Sequence, residues 1–141
     1  MPRVRMPLLL ALALTLPLAA CLPAPHRVYF APRISGAVSR GGEPAAGVQL
    51  RLRASGTGQT AATVTDADGR FALGPLSGLV LSTSLLHDSA YGFVLELSAD
   101  GRDYPGLTQN EEGFAPPLLP LDCDLARPLG SDADVHYCER R

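Results

Sequence analysis

Several groups of residues in this chain have types and spacings that could carry chemistry. Asp66-Ala67-Asp68-Gly69 sets two carboxylates beside a glycine, as a calcium loop does. An EF-hand needs further oxygen ligands and a glutamate at its twelfth position, and the twelfth residue counted from Asp66 is Ser77. The string therefore reads as a turn, with Gly69 at positive φ and the aspartates accepting from nearby amides. Ser84, His87 and Asp88 could be imagined as nucleophile, base and orienting carboxylate. There is no G-x-S-x-G elbow to present the serine, and neighbours in sequence rarely reach triad geometry. Gly56-Thr57-Gly58-Gln59-Thr60-Ala61 matches a loose dinucleotide-binding string, but such a string must open a helix. Here the following residues, Ala61 to Thr65, end in the β-branched Thr63, Val64 and Thr65 and lead to a turn, so a strand connection is expected.

Arg51 and Arg53 alternate with apolar residues on one strand and form a possible interaction face. Such residues most often make a solvated surface; if functional, they suit an acidic partner surface or a lipid phosphate. Across the whole chain twelve basic residues, all arginine, stand against 14 acidic ones, a formal charge of −2. No basic excess is present to hold nucleic acid, so no nucleic-acid partner is expected. A length of 141 residues suits one domain rather than a multidomain enzyme.

The N-terminus carries an address. Arg3 and Arg5 precede an apolar run from Leu8 to Leu18, interrupted by Thr15 and Pro17, which is the layout of a secretory signal. The run falls short of the roughly 20 apolar residues a membrane-spanning helix needs. Leu18-Ala19-Ala20-Cys21 then resembles the lipobox of bacterial lipoproteins. That resemblance implies cleavage after residue 20, a diacylglyceryl group on the Cys21 sulfur, and usually acylation of the new amino terminus. Two or three acyl chains make a stable anchor where one is marginal. Leu22, in place of an inner-membrane-retaining aspartate, implies an outer-membrane location facing the periplasm. Residues 1–20 are thus expected to be a signal peptide, 21–26 a lipidated cysteine with a proline-rich tether, and 27–141 a folded domain.

In the oxidising space this leader implies, the remaining cysteines, Cys123 and Cys138, should pair. Fourteen residues lie between them, and closing a loop of that size stabilises by roughly 3 kcal/mol in the chain-entropy model. Structural zinc favours close ligand pairs, and His26, His87 and His136 are scattered, so no metal and no cofactor is expected.

The elements that position these residues have period two. Arg27 to Ala31 and Ile34 to Val38 read as short strands separated by Pro32. In Gly47 to Arg53, Val48, Leu50 and Leu52 face one side and Gln49, Arg51 and Arg53 the other. Ala61 to Thr65 and Arg70 to Leu73 flank the Asp66–Gly69 turn and predict a β-hairpin. Leu79 to Leu86 is a mostly apolar stretch, Tyr91 to Leu97 alternates, and Asp100-Gly101 marks another turn. The tail from Phe114 predicts one or two late strands stapled by the cysteines. No stretch of the mature chain sustains an apolar period of 3.6 residues, so an all-β fold is expected.

Ile34-Ser35-Gly36-Ala37-Val38, Gly42-Glu43-Pro44-Ala45-Ala46-Gly47-Val48-Gln49-Leu50 and Val64-Thr65-Asp66-Ala67-Asp68-Gly69-Arg70-Phe71 together resemble the carboxypeptidase regulatory-like domain. The resemblance covers about 40 residues, in order and at the right spacing, and does not extend over residues 74–141. It implies a single antiparallel, transthyretin-like β-sandwich of about seven strands, serving as an accessory or interaction module without a catalytic site. The Tyr-Arg-Gly-Ser ending of the transthyretin-like 5-hydroxyisourate hydrolases is absent; this chain ends Tyr137-Cys138-Glu139-Arg140-Arg141. The expected function is a non-enzymatic, lipid-anchored envelope scaffold with an envelope protein as partner. The alternative is a carrier or binding protein for a small molecule or glycan, its site built from sandwich loops.

Overall fold

The computed structural model describes residues 23–82 and 90–141. The signal, Cys21 and the Ser84, His87, Asp88 group lie outside the described residues. Contacts divide the chain into two units, and the boundary passes through two strands. In the first unit the described residues are the outer ends of β1 (Ala24–Ala31) and β7 (Leu76–Ser82), which pair as a two-stranded sheet. Here Leu79 and Leu81 are exposed. The second unit, residues 28–78 and 88–141, carries the other strands.

Among the described residues the second unit holds two larger sheets. One has the order β11-β10-β2-β3, with β6 also paired to β2; the other has the order β5-β4-β8-β9. The strands are β2 (Arg33–Arg40), β3 (Glu43–Pro44), β4 (Gln49–Ala54), β5 (Thr60–Val64), β6 (Arg70–Leu73), β8 (Ala90–Ala99), β9 (Arg102–Glu112), β10 (Leu118–Asp124) and β11 (Cys138–Arg140). Alternation works as expected on β4, where Leu50, Leu52 and Ala54 are buried and Gln49, Arg51 and Arg53 exposed. The inward residues of both sheets form one core, with Ile34, Val38 and Leu121 from the first and Leu52, Phe93 and Leu97 from the second. The all-β expectation holds, and the two larger sheets give a sandwich-like core. The two-stranded β1–β7 sheet is additional to them, so the fold is not a plain single sandwich.

Three further differences have physical causes. First, the sheets are not wholly antiparallel: β10 runs parallel to β2, from Leu118 opposite Arg33 to Asp124 opposite Ser39. A parallel neighbour needs a long connection, here through the whole second sheet, and local turn signals cannot announce it.

Second, Asp66–Gly69 is a turn but not a hairpin. Its flanking strands enter different sheets, β5 pairing with β4 and β6 with β2. The turn chemistry is as expected: Asp66 Oδ1 accepts from the Asp68 and Arg70 amides, and Gly69 has φ +73°. Thr65 fixes the crossing, its hydroxyl accepting from Val48 N and donating to Ala45 O while Gly69 O accepts from Val38 N. A sharp reversal of this kind serves either purpose; the sheet that receives each strand decides.

Third, β9 is a long strand that periodicity did not reveal. Pro105 and Gly106 interrupt it, and the register shifts between Leu95 and Glu96, a β-bulge. Asp100 and Gly101, both at positive φ, form the two-residue turn joining β8 to β9.

Candidate functional site

The disulfide expected from sequence is present: Cys123 and Cys138 are bonded, 4.0 Å apart between Cα atoms and directly opposite on β10 and β11. It closes the tail onto the first sheet.

Arg51 and Arg53 stand on the outer face of the second sheet, each exposed. Strand alternation spaces their Cα atoms by about 7 Å along β4. The face is not simply basic. Glu96 of β8 is the direct cross-strand partner of Arg51, with Gln49 opposite Ser98 and Arg53 opposite Val94. No ion pair within 4.0 Å involves Arg51 or Arg53 among the described residues, whereas Arg40, Arg127, Arg140 and Arg141 each hold a carboxylate. Beside these side chains runs a shallow groove of about 710 Å³, lined among others by Gln49, Arg51, Val64, Glu96, Pro105 and Thr108. Its chemistry is a cation and an anion side by side, flanked by hydroxyl and small apolar groups. That arrangement recognises a mixed polar surface; in the same lining the Ser98 hydroxyl donates to Asp103 Oδ1 at 2.5 Å, with no histidine among the lining residues.

A second polar cluster was not anticipated. Tyr91 of β8 donates to Glu111 Oε2 at 3.1 Å, Gln109 Nε2 donates to Tyr91 Oη and to Glu111, and Arg140 of β11 donates to Glu111 Oε1 at 2.9 Å. Gln109 Oε1 is buried without a hydrogen-bond partner among the described residues. Burial, then the Glu111 contact, pushes the Tyr91 phenol above its ordinary value of 10.0, so at neutral pH it is a donor, not a base. The network ties the two sheets through β9 and β11. The signal that could have located it was the Asp100-Gly101 turn, which calls for a partner strand directly after it.

The remaining sequence candidates separate. Gly56 to Gln59 connects β4 to β5, with Gly58 at φ +70° and no helix following. His26 lies in β1, inside the segment read as tether, and His136 Nδ1 faces the Asp134 carbonyl at 3.1 Å. Among the described residues no three His, Cys, Asp or Glu side chains gather to hold a metal ion. No family model and no curated protein matches the chain.

Proposed function

We propose that this chain is a lipid-anchored cell-envelope protein whose β domain acts as a non-enzymatic scaffold or protein-interaction module. In this reading Cys21 bears the lipid, the location is the outer membrane facing the periplasm, and the domain is a carboxypeptidase regulatory-like, transthyretin-like sandwich. Two sheets around one core, with Ile34 and Val38 buried on β2 and Val48, Leu50 and Leu52 buried in alternation, support the domain assignment. The leader pattern ending in Leu18-Ala19-Ala20-Cys21 supports the anchor.

The observation that carries the interaction role is the outer face of the second sheet. Arg51, Glu96 and Arg53 are presented on a four-stranded sheet, and among the described residues no ion pair occupies either arginine. Charged groups displayed in this way give partner selectivity and steer encounter. A second reading, a carrier for a small molecule or glycan, would use this groove, whose Arg51, Glu96 and hydroxyl groups suit a polar ligand such as a glycan better than an apolar one.

In-cell crosslinking from Gln49 and, separately, from Arg51 tests the first reading. Each should capture a distinct envelope protein, and the Gln49 adduct should disappear with Arg51→Glu and Arg53→Glu combined. Capture that persists in the double variant defeats the assignment of this face. Cys21→Ala should abolish fatty-acid labelling and release the protein; continued labelling refutes the anchor.

A further inference from the structure

From the outer edge of β5 we infer that this protein pairs with a second copy of itself, joining two four-stranded sheets into one continuous sheet. Among the described residues β5 ends its sheet, bonded to β4 on one side only. The direction of its free backbone groups follows from the register. Ala54 N donates to Gln59 O and Thr65 N donates to Val48 O, at the two ends of the β4–β5 ladder. Both fall in one register, in which Leu52 faces Ala61 and Leu50 faces Thr63. Hydrogen-bonded pairs alternate with non-bonded ones in an antiparallel ladder. The N–H and C=O groups of Thr60, Ala62 and Val64 therefore point away from β4.

Proteins usually blunt such an edge with charge, proline, a bulge or a very short strand. The other outer strands of the two larger sheets carry these devices: Asp103, Pro105, Glu111 and a bulge on β9, Glu139 and Arg140 on β11, Arg70 on the short β6, and Glu43-Pro44 as β3. Thr60-Ala61-Ala62-Thr63-Val64 has none of them. Its side chains fit a second copy. With a two-fold axis through Ala62, Ala62 meets Ala62 and Thr60 meets Val64 twice, so each outward residue finds an outward residue, and each pair exchanges two N–H···O bonds. Small alanines lie at the axis, and Val64, 55% exposed, is covered by the β-branched Thr60 of the other copy. The nearest cations, the two Arg51 residues, are attached three strand spacings apart, about 14 Å, which exceeds the screening length of about 8 Å at physiological salt. Charge thus does not oppose the pairing.

Ala62→Pro removes an outward N–H without touching the β4 ladder, and Ala62→Lys places two cations at the axis. The full chain, purified from producing cells, is studied by sedimentation equilibrium, each variant alongside a thermal melt. The expected result is a reversible dimer whose dissociation constant rises at least tenfold in both variants while the melts are unchanged. In addition, Ala62→Cys should crosslink under oxidation, because Cα atoms of a bonded antiparallel pair are about 5.5 Å apart and within disulfide reach, while Arg53→Cys should not. A monomer at every concentration, a dimer indifferent to both Ala62 variants, or equal crosslinking at positions 62 and 53 overturns the inference.

Discussion

Gly36 of β2 and Leu121 of β10 are Cα partners in the parallel pair, and a Cβ at residue 36 would lie 1.9 Å from the Leu121 carbonyl oxygen. The obstacle is backbone, so neither strand can yield without breaking its ladder. Gly36→Ala should therefore destabilise the fold by about 2–3 kcal/mol, the upper part of the range for overpacking. A urea midpoint close to that of the parent protein would show that the strands part easily.

Removal of the Cys123–Cys138 bridge should have a comparable effect by a different route. The bonded cysteines are separated by 15 positions, and their loss as a Cys123→Ser, Cys138→Ser double variant should reduce stability by about 3 kcal/mol in the chain-entropy model. Both residues are also buried in the core, so serine adds a desolvation cost. Thermal melts under oxidising and reducing conditions check this: the parent should fall toward the double variant when reduced.

Thr65 is the buried hinge of the crossing between sheets, its hydroxyl bonded to Val48 N at 2.9 Å and Ala45 O at 2.7 Å. Thr65→Val keeps the shape and removes both bonds, leaving a buried amide and a carbonyl unpaired. A loss of about 2 kcal/mol is expected, against near neutrality for Thr65→Ser. Equal stability of the two variants would mean that the hydroxyl does not set the corner.

Asp124 gives the fold a pH dependence with a definite sign. Gly41 N and Ala126 N each donate to its Oδ1 at 2.9 Å, and these bonds hold its carboxyl below the ordinary value of 3.8. A group with a depressed folded pKa contributes stability above its unfolded pKa and loses it as pH falls through the folded value. Asp124→Ala should thus be less stable than the parent at neutral pH, and the difference should shrink on acidification below the usual carboxylate range. Urea unfolding across that interval reads it; a difference that grows on acidification contradicts the assignment.

How far the sequence could be read differs from element to element. β4 was fully legible, because Val48, Leu50 and Leu52 alternate without interruption and burial needs only that alternation. β9 was not, because Pro105 and the bulge at Gly106 break the period where the strand bends against β8. Gly106 itself is explained by that neighbour, since a Cβ there would lie 2.8 Å from the Leu95 carbonyl oxygen of β8. Arg51 and Arg53 were visible as an exposed face, yet Glu96, which makes the face mixed in charge, became its partner only through the β4–β8 register. The Tyr91, Gln109, Glu111 and Arg140 network depended on the unrecognised β9, for which the Asp100-Gly101 turn was the available local signal.

The amino-acid order by itself determined the inward and outward faces of regularly alternating strands such as β4, the turns at Asp66–Gly69 and Asp100-Gly101, and the cysteines available for a bridge. Each depends on residues a few positions apart, or on the scarcity of a residue type. Only the tertiary structure decided that Thr65 sends the chain from one sheet to the other, that β10 lies parallel to β2, and that the neutral edge of β5 is unpaired among the described residues. Strand pairing runs through backbone N–H and C=O groups that are alike in nearly every residue. Which edges meet is therefore settled by where the whole core closes.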